Sequence, residues 1–143
     1  MINRELIDPK SIVVVGGSNN VHKPGGRLVR NLLDGKYKGE LYVVNAREDD
    51  VQGLKSYHSV QDIPDTEMAI ISIPGPLCPE AVDILAKQKN VKAFIVVSAG
   101  FGEETHEGAI LENQMLDSVN EAGASMIGPN CIGLMNMNFH GVF

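Results

Sequence analysis

The chain has 143 residues, 43% of them hydrophobic, which suffices for one compact core and sets the expectation of one domain over residues 1–143. A net charge of −6, no tryptophan and few aromatic residues argue against extended nucleic-acid binding. No apolar run reaches the length of a membrane span, the opening MINRELIDPK lacks the apolar core of a secretory leader, and Cys78 and Cys131 belong to no CxxC or Cys/His set, so a cytoplasmic protein with no membrane contact, metal site or disulfide framework is expected.

The first element carries the strongest signal. Ile12 to Val15 is an unbroken β-branched run that ends at Gly16 and Gly17; Ser18 opens a polar loop, and Lys23, Pro24, Gly25 and Gly26 precede the apolar-periodic segment RLVRNLL. This predicts a buried strand, a turn, and a helix over 26–34. At such a junction unpaired backbone N–H groups and the positive end of a helix dipole converge, and glycines let a ligand approach the main chain. A phosphate is the natural occupant of that place, with a purely structural bend as the alternative. Neither GxGxxG nor GxxxxGK[ST] can be written here, so no nucleotide fingerprint decides the matter.

A second strand is predicted at Leu41–Val44, ending at Asn45 and followed by the charged loop AREDDVQG. Leu54 to Pro64 is mixed in pattern and reads as an excursion with a helical turn near Ser59–Asp62. Met68–Ile73 is a third buried strand, stopped by Pro74 and Pro76, and the helix after it carries Val82, Leu85 and Ala86 at helical spacing with Pro79 in its first turn. Lys92–Ser98 is a fourth strand opening into a loop through Ala99 and Gly100. Leu111, Met115, Val119 and Ala122 form one stripe of a helix over 107–122 that Gly123 caps. Ala124–Ile127 is a fifth strand, Gly128–Gly133 a special loop, and Gly133–Met137 a candidate sixth strand; the tail NFHGVF suggests no partner.

Continuous apolar strands alternating with helices indicate a parallel sheet buried on both faces. The expected fold is therefore a Rossmann-like, doubly wound α/β domain of three layers, with strand order 3-2-1-4-5. The unusual loops all follow strand carboxyl ends and so share one edge, where ligands of this fold bind. An NAD site normally has an acidic residue after the second strand; here stand Asn45, Ala46 and Arg47, a combination that suits a ribose carrying a phosphate, as in NADP or coenzyme A. Charge also segregates: five basic residues and one acid lie between Lys23 and Lys38, and six acids with no Lys or Arg between Phe101 and Glu121. The basic group flanks the glycine turn, where it could serve phosphates. The acidic group reads as a solvated face.

In order along the chain stand Gly16-Gly17-Ser18, Lys23-Pro24-Gly25, Asn31-Leu32, Val44-Asn45-Ala46, Tyr57 through Pro64, Pro74, Ser98 through Phe101, and Gly128 through Gly133 with Asn136 beyond. This series resembles the CoA-binding, N-terminal domain of the NDP-forming acyl-CoA synthetases, relatives of the succinyl-CoA synthetase α subunit; Gly17 and Ala46 depart from the family's Ala and Pro. The resemblance implies coenzyme A as ligand: its phosphates on the first glycine loop and Lys23, ribose and adenine between Asn45 and Ile73-Pro74, the pantetheine arm toward Ser98-Ala99-Gly100, and the thiol near Pro129, Asn130 and Cys131. It implies as partners the ligase domains or subunit that carry the phosphohistidine and the ATP-grasp fold. None of the four histidines stands in a context like that phosphohistidine's, so the chain is expected to bind CoA or acyl-CoA without completing a ligase cycle and to hold no catalytic residue. Two alternatives stay open at this point: an NAD(P)-binding domain of an oxidoreductase or redox sensor, and a stand-alone CoA-responsive regulatory module.

Overall fold

Strands whose residues are apolar throughout can be stable only where neither face meets water, and here three such strands form the centre. In the computed structural model, which describes residues 1–143, they are β1 (Ser11–Val15), β5 (Met68–Ile71) and β6 (Ala93–Val96), and from Ile12 to Val15 and throughout the other two every residue is buried. The other elements are α1 (Arg4–Ile7), α2 (Pro24–Asp34), β2 (Glu40–Val44), β3 (Asp50–Val51), β4 (Leu54–Tyr57), α3 (Cys78–Gln88), α4 (His106–Glu121), β7 (Ser125–Ile127), β8 (Gly133–Met135) and β9 (His140–Val142). The expected helical turn is a 3-10 turn at Val60–Asp62.

The main sheet runs β3-β4-β2-β1-β5-β6-β7, parallel except for β3, which lies antiparallel to β4. Val13, Val15, Ala69, Ile71, Phe94 and Val96 point to one face and pack with Val82 and Leu85 of α3 and Met115 and Val119 of α4. Ile12, Val14, Ile70, Ala93 and Ile95 point to the other and pack with Leu28, Val29 and Leu32 of α2, Leu6 of α1 and Phe139. The result is the expected three-layer, doubly wound α/β fold.

The expected strand order 3-2-1-4-5 is corrected. The third apolar strand, β5, pairs not beyond β2 but on the other side of β1, through Ile12–Met68 to Val15–Ile71, so the five expected strands run 2-1-3-4-5. The place beside β2 belongs to β4, paired in parallel through Val43–Ser56 and Val44–Tyr57. LKSY escaped the pattern because it needs little buried face: only Ser56 is buried, Lys55 is exposed, and β3 folds back over the outer edge. The tail also has a partner. β9 pairs with β8 in a separate hairpin against α2; Phe139 is buried, and the Asn31 carboxamide donates to the Val142 carbonyl at 2.7 Å. Gly133–Met135 is therefore a strand of this hairpin and not a sixth strand of the main sheet.

Polar links hold the layers in register. Thr105 caps α4 by accepting from the Gly108 N–H at 2.9 Å. Asp83 of α3 accepts from Lys87 at 2.7 Å and from the Ser118 hydroxyl of α4 at 2.8 Å, which holds its carboxyl below the usual range. Glu67, just before β5, accepts from the Arg4 guanidinium at 2.6 Å and the Lys10 N–H at 2.7 Å; Arg4 is the main reason its carboxyl too is held low.

Candidate functional site

From β1 the chain winds outward through β2 to β4, then returns to β5 on the other side of β1 and continues through β6 to β7. The loops after β1 and β5 therefore diverge, and a crevice opens between them at the carboxyl edge. Backbone closeness defines its floor. Gly16 has φ 91°, and a Cβ there would fall on the Ser72 carbonyl oxygen. The first turn of α2 comes as near: a Cβ on Gly25 would fall on the Gly16 carbonyl oxygen, and one on Gly26 on that of Asn20. Glycine at these positions lets α2 start directly against the loop. The Ser18 hydroxyl accepts from the Asn20 N–H at 3.0 Å, and the Asn20 carboxamide from the His22 N–H at 3.0 Å. The N–H groups of Gly17, Ser18, Asn19, Gly25 and Gly26 have no acceptor within the chain, which leaves them available to an anion at the helix start.

A cavity of about 360 Å³ adjoins this loop and brings together Gly16, Asn45, Arg47 and Ile73. Asn45 shapes the cavity wall: its carboxamide donates to the Gly17 carbonyl at 2.9 Å and accepts from the N–H groups of Arg47 at 2.9 Å and Glu48 at 3.0 Å. Arg47 makes no ion pair and is exposed. His58 and Ser59 line the same cavity, with His58 Nε2 2.8 Å from Asp49 Oδ1. The sequence reading missed both, since β4 was not seen as a strand; once LKSY is parallel to β2, its carboxyl end must reach the same edge.

Lys23 and Pro24 lie apart from this cavity. They line a second hollow of about 320 Å³ with Val21, His22, Arg27 and Phe143, and no acidic residue lines it. Ser98, Ala99, Gly100, Pro129, Asn130 and Cys131 line neither space, yet they continue the same edge. The Ser98 hydroxyl donates to the Ile73 carbonyl at 2.6 Å and accepts from the Ile73 N–H at 3.1 Å, and the Asn130 N–H donates to the Ser98 carbonyl at 2.9 Å. Cys131 Sγ lies 3.4 Å from the Val96 carbonyl. The Glu103 carboxylate accepts from the N–H groups of Gly100 and Phe101 at 3.0 and 3.2 Å; its own N–H first, then those of Phe101 and Gly100, hold its carboxyl below the usual range. A larger hollow, of about 390 Å³, lies at the opposite edge between residues 8–10 and 35–39, away from every expected site residue.

The profile of the CoA binding domain family matches residues 10–137. The chain belongs to that family. This CoA-binding domain is 41% identical over 134 residues to an ADP-forming acetate–CoA ligase of Archaeoglobus fulgidus, a match spanning 93% of the chain and 20% of the relative. It is 38% identical over 133 residues to the α subunit of an ADP-forming acetate–CoA ligase of Pyrococcus furiosus, spanning 92% of the chain and 28% of that subunit. Among solved structures, the dinucleotide-forming acetyl-coenzyme A synthetase 1 of Candidatus Korarchaeum cryptofilum superposes with a TM-score of 0.89 at 31% identity, covering 97% of this chain and 30% of that one. The chain thus spans under a third of the length of these relatives and is homologous to the N-terminal part of ADP-forming acyl-CoA synthetases. Some relatives are subunits of multi-subunit ligases. Neither the NAD(P) reading nor the stand-alone regulatory reading draws support from these matches. No helix is long and apolar enough to cross a membrane.

Proposed function

We propose that this CoA-binding domain holds coenzyme A across the carboxyl edge of the sheet, with the nucleotide end in the cavity between the loops after β1, β2 and β5. The diphosphate is received by the free N–H groups of Gly17, Ser18, Gly25 and Gly26 and by Lys23 at the start of α2. Adenine and ribose lie between Asn45 and Ile73-Pro74, where the unpaired Arg47 faces the 3′-phosphate. The pantetheine arm follows the linked loops Ser98-Ala99-Gly100 and Pro129-Asn130, and the thiol ends near Cys131. The observation that carries this reading is the row of acceptor-free backbone N–H groups beside a cavity that contains an unpaired guanidinium.

In this reading the domain serves an ADP-forming acid–CoA ligase, and the phosphohistidine and nucleotide-grasping parts belong to further domains or a partner subunit. Residues 1–143 act as one domain that binds and orients CoA; none of them carries the phosphoryl group. Calorimetric titration with CoA, NADH and NADPH tests the ligand. CoA is expected to bind most tightly, because Asn45 stands at the end of β2 where an NAD site has its acidic residue, and no Asp or Glu lines the cavity to hold the free ribose hydroxyls of NADH. Tighter binding of NADH than of CoA would remove the basis of the proposal.

A further inference from the structure

The glycine loop is clasped from outside by the β3–β4 hairpin. The Asn19 carboxamide donates to the Asp50 carbonyl at 2.9 Å and accepts from the Gln52 N–H at 2.7 Å. The Gln52 Nε2 donates at 2.9 Å to two carbonyls, those of Ser18 and Gly26, which stand at the two ends of the loop. This fixes the orientation of the carboxamide, because a flipped amide would set its oxygen against two carbonyl oxygens. The clasp is costly to the fold. Gln52 Oε1 is buried without a donor, and the residue has φ 52°, in the left-handed region. A side chain that only filled space would need neither the unmet acceptor nor the pair of donors.

We infer that Gln52 is a positioning residue for the anion-receiving loop: its amide holds both ends of the loop so that the free N–H groups between them are set before the ligand arrives. The peptide group is planar and trans, so turning the Ser18 carbonyl toward Gln52 turns the N–H of Asn19 the opposite way, off the hairpin. That N–H has no acceptor in the chain. Preorganised donors bind an anion without first losing conformational freedom, so loosening the clasp costs affinity even though Gln52 touches no ligand. This inference rests on the proposed CoA site.

Two variants separate donor chemistry from shape. Gln52→Met keeps length and loses both donors; Gln52→Lys keeps reach and donors. In calorimetry the methionine variant is expected to bind CoA about tenfold more weakly than the parent and the lysine variant within about threefold, since a tenfold loss corresponds to the net worth of one or two hydrogen bonds. Amide hydrogen exchange on the ligand-free proteins is the second readout. In the methionine variant the hydrogen-bonded N–H groups of the clasped loop, those of Asn20, His22, Lys23 and Gln52, exchange faster while those of β1 and β5 keep their parental rates, a local pattern that general destabilisation does not produce. Parental CoA affinity in the methionine variant, or loop exchange unchanged from the parent, overturns the role of Gln52 and leaves the CoA site standing. A parent chain that fails to bind CoA removes the site itself, and the inference falls with it.

Discussion

Gly25→Ala is expected to lower the melting temperature by about 10 °C and to weaken CoA binding about a hundredfold. The added methyl has no space: it falls on the Gly16 carbonyl oxygen, a backbone atom that cannot rotate away. Either α2 withdraws from the loop or the loop after β1 shifts. Forced repacking of this kind costs about 3 kcal/mol, which in a chain of this size is about 10 °C. Affinity falls further than stability alone requires, because either movement separates the N–H groups of the helix start from those of the loop. Gly123→Ala is the control. Gly123 has φ 65° with open space around its α-carbon, so the cost is backbone strain of about 1 kcal/mol, with CoA affinity unchanged. Thermal melts and calorimetry on the two variants compare clash with strain directly; equal CoA affinities would show that α2 need not abut the loop for binding.

Lys23→Ala should weaken CoA and dephospho-CoA to the same degree, about ten- to a hundredfold. Lys23 precedes the first turn of α2 with extended backbone and no side-chain cap, which places it where the diphosphate meets the helix start. A hydrogen bond to a charged group is worth about 1.5–3 kcal/mol, and that sets the range. Arg47→Ala should behave differently, weakening CoA by a similar factor while leaving dephospho-CoA nearly untouched, because the 3′-phosphate is the group that the two ligands do not share. The structure supports this division of labour by separating the two cations: Arg47 lines the cavity with Asn45 and Ile73, whereas Lys23 lines a different hollow with His22 and Arg27. A Lys23→Ala variant that lost CoA but kept dephospho-CoA would reverse the assignment.

Much of this site could be read from the chain because its signals are local. A β-branched run of four residues stopped by glycines reads as a buried strand and the glycine pair after it as a tight turn, and both lie within a few residues of each other at Val15, Gly16 and Gly17. Parallel pairing then carries the loops after β1, β2, β5, β6 and β7 to one edge, where the structure places them. What could not be read was set by distant partners. Leu54–Tyr57 is a strand because β2 and β3 flank it, and nothing in LKSY announces that. Without β4 there was no reason to bring His58 and Ser59 to the cavity, or to see Gln52 reaching back to Ser18 and Gly26. Asn45 shows a further limit: its residue type was legible as a neutral group after β2, but its use as a brace between Gly17, Arg47 and Glu48 depends on the path of a loop. The tail likewise gains its strand from β8 and its burial from α2, neither of which a window of six residues contains.

The most direct measurement is an amide-resolved NMR titration of the chain with CoA. The free donors predict where the signals move: Gly17, Ser18, Asn19, Gly25 and Gly26 around the helix start, with Arg47, Ser72 and Ile73 around the adjoining cavity. Shifts concentrated there, with residues 8–10 and 35–39 unaffected, are the expected result. Shifts confined to that opposite hollow, with the glycine loop silent, would contradict the placement of CoA at the carboxyl edge.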